Sequence, residues 1–207
     1  NVIDMGDHSL EFCLSDGVRA AFFEKNEGLL REDVLTKAVN RGTMLQYLEH
    51  DLRRYTLWEE ERRINQTQSP HPPMSLILFD IDHFKQFNDQ YDHLVGDQVL
   101  KSVVSRIKGR VRVTDVVGRY AGEEFLVYLP GTPYDQAMEI AEQLREIIAE
   151  TPFQIGLHKP MQITISLGVA QFTPSMNVET FVQAARLVSS STSETSRIAS
   201  DSSCIRQ

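Results

Sequence analysis

The sequence predicts an α+β or α/β sandwich around a mostly antiparallel sheet, and three observations carry that prediction. Apolar residues recur at spacings of three and four in four separated segments. Short strand-like runs fall between them. Two of those runs, VVGRY and FLVYL, are divided only by AGEE, which is the pattern of a hairpin. The order is helix, strand, helix, two strands, helix and one or two further strands, and α+β is the class expected.

Residues 1–32 show no sustained period and read as a connector from a missing upstream module; the chain opens on Asn1 rather than Met, as a piece of something longer would. From Thr43, the residues Met44, Leu45, Leu48, Leu52 and Tyr55 form one helical face that runs to about Arg63. The prolines of NQTQSPHPP end it in an exposed loop. MSLILF, Met74 to Phe79, is short, apolar and preceded by proline, so it predicts a buried strand. The following segment starts polar and becomes helical around Val99, Leu100, Val103, Val104 and Ile107. The hairpin spans 116–130, and a helix from Tyr134 to Ile148 ends at Thr151-Pro152. QITISLGVAQF, from Gln162, alternates as a strand, with FQIGLHKP as a short hairpin partner, and VETFVQAAR opens a last helix. The remainder, 187–207, is serine-rich and reads as a disordered or loosely attached tail.

The 207 residues suffice for one well-buried core, expected at 33–186. A net charge of −8 argues against duplex nucleic acid or anionic membrane as a partner. Only Cys13 and Cys204 are present, which supports neither a disulfide framework nor a zinc site and points to a reducing compartment. No apolar run approaches the roughly 20 residues of a membrane span, and no signal peptide opens the chain. The expected location is the cytoplasm, with tethering of the full-length protein left open.

Carboxylates carry the chemistry. Asp80 and Asp82 fall at the C-terminal end of the first core strand, and period-two alternation points both to one side, with Ile81 opposite. A helix-cap role fits Asp82 better than Asp80. Glu123 and Glu124 sit together in the hairpin turn. If the sheet sets Asp80 beside Glu123, two or three carboxylates meet at one edge, and hard oxygen ligands of that kind select Mg²⁺ or Mn²⁺. Such an ion neutralises a triphosphate, polarises its α-phosphate and lowers the pKa of an attacking hydroxyl. The small Ala121 and Gly122 admit backbone amides close to phosphates. Taken alone, each acid pair has a plainer reading as solvated turn charges, and Asn88 and Asp97 as turn or cap residues.

Four motifs in order change that balance. DVLTKAVNR resembles DxLTxxxNR, FDIDHFKQFND with HLVGD resembles FDIDxFKxxND and GHxxGD, AGEEF stands in the place of GG(D/E)EF, and ITISLGVA is similar to a late strand of the same family. From Asp33 to Ala185 the chain resembles the GGDEF family of diguanylate cyclases. The resemblance implies a fold like the palm of nucleotide cyclases and polymerases, and condensation of two GTP into cyclic di-GMP with release of two pyrophosphates. It implies metal ligands at Asp80, the Ile81 carbonyl and Glu123, with Glu124 in support and Glu123 or metal-bound water helping to deprotonate the 3′-hydroxyl. Asn88 and Asp97 would read guanine, and the amides of His83, Phe84 and Lys85 would cradle the terminal phosphates. Arg112 and Asp115 match the RxxD inhibitory site. One GTP per domain implies a homodimer, at least transiently, under the control of an upstream module.

Three departures stand out. Ala121 replaces the first signature glycine, Asp92 takes a usual glycine position, and the last helix runs into serines in place of ADxALYxAKxxGRN, without the Lys and Arg expected at the triphosphate. An impaired module that binds GTP or cyclic di-GMP as a receptor is therefore the alternative. A phosphodiesterase reading has no support, because no EAL-type region is present.

Overall fold

The computed structural model describes residues 2–4, 9–11, 31–65, 71–155 and 159–190. Val2–Asp4 (β1) and Ser9–Glu11 (β2) pair as a small antiparallel ladder inside the expected connector. The rest of 1–30, the middle of the proline-rich loop, and the tail from 191 lie outside the described residues.

Arg41–Asn65 (α1) starts where Asn40 caps it, the Asn40 Oδ1 accepting from the Thr43 amide at 2.9 Å. Met74–Ile81 (β3) is the centre of a four-stranded sheet with Val116–Ala121 (β4), Glu124–Pro130 (β5) and Ile165–Gln171 (β6), in the order β4-β5-β3-β6 and antiparallel throughout. The expected hairpin partner of β6 reduces to an isolated bridge between Phe153 and Met161.

The polar-then-apolar segment after β3 is two helices, not one: Phe84–Tyr91 (α2) and His93–Lys108 (α3). They break at Asp92, whose φ of 79° lies in the left-handed region that favours glycine. This explains why a glycine is usual there. Tyr134–Glu150 (α4) has its first amide capped by the Gln171 side chain at 2.6 Å. Its C-terminal carbonyls are met by Arg106 of α3, which donates to the carbonyls of Ile147 and Thr151. Val178–Ser190 (α5) is capped by reciprocal bonds between Asn177 and Thr180. It extends four residues into the segment expected as tail.

Alternation along the strands fixes which helices cover which face. Ile77, Phe79, Phe125, Val127, Leu167 and Val169 point into one core with α3 and α4. Leu76, Leu78, Leu126, Tyr128 and Ala170 point into the other, with α1 and α5. Close approach of α1 depends on Gly118 in β4, where a Cβ would lie 2.6 Å from the Met44 Cε. No helix among the described residues is long and apolar enough to cross a membrane.

Candidate active site

The sheet register sets a row of polar residues at the end of β3. Asp80 is opposed to Glu124 on β5 and to Ser166 on β6, so all three side chains share the face covered by α1 and α5. Asp82 lies on the same side. Its oxygens accept from the Thr164 and Ser166 hydroxyls, both at 2.6 Å, rather than capping α2, whose N-cap is His83. The expected neighbour of Asp80 was Glu123; the residue directly across the ladder is Glu124, with Glu123 beside it in the turn.

Charge and burial act together on Asp80. Its carboxyl is pushed up to about 6, first by burial and then by the negative charges of Glu123, Glu124 and Asp82, with Arg186 pulling the other way. Arg186 of α5 donates from Nη2 to Glu124 Oε2 at 2.7 Å and lies near the Tyr120 ring. Glu124 and Asp82 are thus engaged, whereas Asp80 and Glu123 have no hydrogen-bond or ion-pair partner among the described residues.

The turn that carries Glu123 is held by Arg119 of β4, which ties it to Asp33 outside the hairpin. Arg119 donates from Nε to the Gly122 carbonyl at 2.9 Å and from Nη1 to both oxygens of Asp33 at 3.1 and 3.2 Å. Burial alone would raise Asp33, but the Thr36 hydroxyl and amide and the Arg119 guanidinium outweigh it and hold its carboxyl below the usual range. Gly122 has a φ of 25°. Ala121 is not among the described residues with positive φ, so a Cβ is accommodated there without backbone strain.

Between β3 and α2 the chain turns through His83 in the left-handed region, φ 59°, and the first amides of α2 have no partner within the helix. Phe84 is buried and Lys85 exposed. One turn further, the Asn88 Oδ1 is buried without a partner, packed so close to α3 that a Cβ on Gly96 would lie 1.9 Å from it. Asp97 is the next residue, which places the two expected guanine readers at one crossing of α2 and α3.

Arg112 and Asp115 form a turn of their own. The Arg112 amide donates to Asp115 Oδ2 at 2.8 Å, and the Asp115 amide to the Arg112 carbonyl at 3.0 Å. Arg112 is exposed, and Asp115 Oδ1 is buried without a partner.

A family model described as diguanylate cyclase, GGDEF domain, matches residues 31–195. The chain belongs to the GGDEF-domain family. It is 35% identical over 140 residues to diguanylate cyclase DgcP of Pseudomonas aeruginosa, covering 68% of this chain and 19% of that protein. It is 34% identical over 165 residues to response regulator PleD of Caulobacter vibrioides, covering 79% and 30% respectively. The chain thus spans less than a third of the length of these relatives. The fold is shared with the coiled coil and GGDEF domain of DgcB from Caulobacter crescentus in complex with c-di-GMP, at TM-score 0.71 and 23% identity over 84% of this chain and 86% of that one. Diguanylate cyclase SiaD, solved with its activator SiaC from Pseudomonas aeruginosa, matches at TM-score 0.62 and 27% identity over 83% and 62%.

The donor set of this GGDEF domain suits a hard divalent cation. No three His, Cys, Asp or Glu side chains form a ready-made cage among the described residues. At this sheet edge the carboxylates without a hydrogen-bond or ion-pair partner among the described residues are Asp80 and Glu123, and a set completed by a backbone carbonyl and by phosphate needs no more. Two residues missed in the sequence complete the site. Arg119 acts over 86 positions to reach Asp33, and Arg186 over 62 to reach Glu124. The last helix therefore does bring one cation to the acids, although its Lys and Arg motif is absent.

Proposed function

We propose that this GGDEF domain is a diguanylate cyclase, condensing two GTP into cyclic di-GMP and two pyrophosphates. The observation that supports it most is the crowding of Asp80 by Glu123 and Glu124 at one sheet edge, with no hydrogen-bond or ion-pair partner for the Asp80 and Glu123 side chains among the described residues. Mg²⁺ or Mn²⁺ would be held by Asp80, the Ile81 carbonyl and Glu123; when bound it supplies charge for the triphosphate and polarisation of the α-phosphate. The protein's own groups do the rest. Amides of His83, Phe84 and Lys85 receive the terminal phosphates at the start of α2. The Asn88 amide offers guanine a donor and an acceptor, and its orphaned oxygen gains an N–H partner there. Asp97 accepts from the base's N–H groups. Glu123 takes the proton of the 3′-hydroxyl, and Glu124 holds the turn in place through Arg186.

Each domain binds one GTP, so two chains meet face to face and the active species is a homodimer. Arg112 and Asp115 bind cyclic di-GMP as an inhibitor, Arg112 offering its planar fork and Asp115 its unpartnered oxygen. A receptor without turnover is the second reading, favoured by the serines that follow Arg186 in place of further cations. Incubation with GTP and Mg²⁺ separates the two: the cyclase yields cyclic di-GMP and pyrophosphate in a ratio of one to two, and Asp80→Ala and Glu123→Ala do not. Binding of GTP or cyclic di-GMP with no product above those variants leaves only the receptor.

A further inference from the structure

β3 ends at Ile81, and the next residue turns its side chain toward the neighbouring strand. Asp82 Oδ2 accepts from the Thr164 hydroxyl and Oδ1 from the Ser166 hydroxyl, both at 2.6 Å, while the Asp82 amide donates to the Thr164 carbonyl at 3.0 Å. Three bonds thus tie one residue to the start of β6. An ionised carboxylate only accepts, so it can take both hydroxyls at once through charge-assisted bonds.

The backbone beyond Asp82 needs such an anchor. His83 follows at φ 59°, a left-handed conformation that a residue other than glycine keeps only where its surroundings impose it. On the far side of this turn Phe84 is buried, its ring stacked with Phe87, and the Phe87 amide donates to the His83 carbonyl at 2.9 Å. The turn is therefore fixed at both ends, by Asp82 on β6 and by Phe84 in the core. Between and beside those anchors lie the amides of His83, Phe84 and Lys85.

We infer that Asp82 is the positioning residue of the phosphate cradle, setting these amides through its grip on the Thr164 and Ser166 hydroxyls. It acts through the backbone, and β6 is the element that holds the cradle in shape. This rests on the phosphate role proposed for the three amides and names what preorganises them. Donors held in place before the ligand arrives avoid the ordering cost of binding.

The contribution of the terminal phosphates tests this, read as the Kd of 3′-deoxy-GMP divided by that of 3′-deoxy-GTP in Mg²⁺; the 3′-deoxy sugar prevents turnover. Thr164 is exposed, so Thr164→Val removes one hydroxyl without disturbing the core. By titration calorimetry it should lower the ratio about threefold or more, with 3′-deoxy-GMP binding within about twofold of wild type. Thr164→Ser, which keeps the hydroxyl, should keep the wild-type ratio. Asp82→Ala frees both hydroxyls and should lower the ratio about tenfold or more, although loss of a negative charge beside a triphosphate would on charge alone raise it. An unchanged ratio in Thr164→Val overturns the inference, and so does an equal loss for both nucleotides. A fall in Thr164→Ser as large as in Thr164→Val overturns it as well. All three results leave the phosphate cradle standing, whereas a wild-type chain that binds 3′-deoxy-GTP no more tightly than 3′-deoxy-GMP overturns the cradle and this inference together.

Discussion

Asp80 and Glu124 face each other across the β3–β5 ladder, a cross-strand pair of like charge at the heart of the candidate site. Such a pair opposes folding, and the ion pair between Glu124 and Arg186 offsets it among the described residues.

Asp80 makes the metal-free domain less stable as pH rises. Its carboxyl binds a proton more tightly in the folded chain, about 6 against an ordinary 3.8, so its stabilising share is complete below pH 3.8 and lost as pH climbs through about 6. After discounting for partial exposure, the penalty at pH 7 is about 1–2 kcal/mol. Asp80→Asn should therefore raise the metal-free Tm by roughly 2–6 °C at pH 7 and flatten the slope between pH 4 and 7. Thermal melts in chelator check this, and a lower Tm contradicts it.

Asp33 and Arg119 are expected to couple. Both side chains are mostly buried, Arg119 at 20% and Asp33 at 21% exposure, and Arg119 also holds the Gly122 carbonyl. A double-mutant cycle of Asp33→Ala and Arg119→Ala should give a coupling of about 1 kcal/mol in urea unfolding, and additive losses would show that the pair is incidental. Because the Asp33 carboxyl lies below its ordinary value, this coupling should fade only as pH falls below about 4.

Gly96→Ala should damage the guanine end of the site selectively. The new Cβ would meet Asn88 Oδ1 at 1.9 Å and Phe84 Cζ at 3.3 Å, so Asn88 must move. An overpacking cost of about 1–3 kcal/mol is expected, together with a rise in the Kd for GTP of about tenfold or more. Calorimetric titration measures it. Unchanged affinity would remove Asn88 from base recognition.

Arg112→Ala should leave turnover intact and weaken inhibition by cyclic di-GMP. Arg112 is exposed, and its amide still satisfies Asp115 Oδ2 in the variant, so the turn survives. Inhibition curves at fixed GTP read the change, and identical curves for both proteins would sink the RxxD assignment.

Local pattern was enough for the sheet. Strand β3 shows in the short apolar run after proline, β4 and β5 in the hairpin pattern, and β6 in the alternation of Ile163, Ile165 and Leu167; the apolar run from Met74 to Phe79 and those three residues are buried. The break between α2 and α3 was harder, because α2 is only eight residues and Asp92 adopts a positive φ without being glycine. The acids were legible as residue types at strand ends, but not their register: period two places Asp80 and Asp82 on one side, while only the ladder shows that Glu124 is the residue across from Asp80. Arg119 and Arg186 were invisible for a different reason. Their partners are far off in the chain, and no spacing rule links a guanidinium to a carboxylate 62 or 86 positions away.

The central claim is that Glu123, beside Asp80, acts in the chemical step as well as holding the metal, and Glu123→Gln tests it most directly. Initial rates of cyclic di-GMP formation from GTP and Mg²⁺ should fall by roughly 10²-fold or more, while GTP affinity, held largely by Asn88, Asp97 and the α2 amides, stays within about tenfold. A variant that cyclises GTP at the wild-type rate would contradict the account.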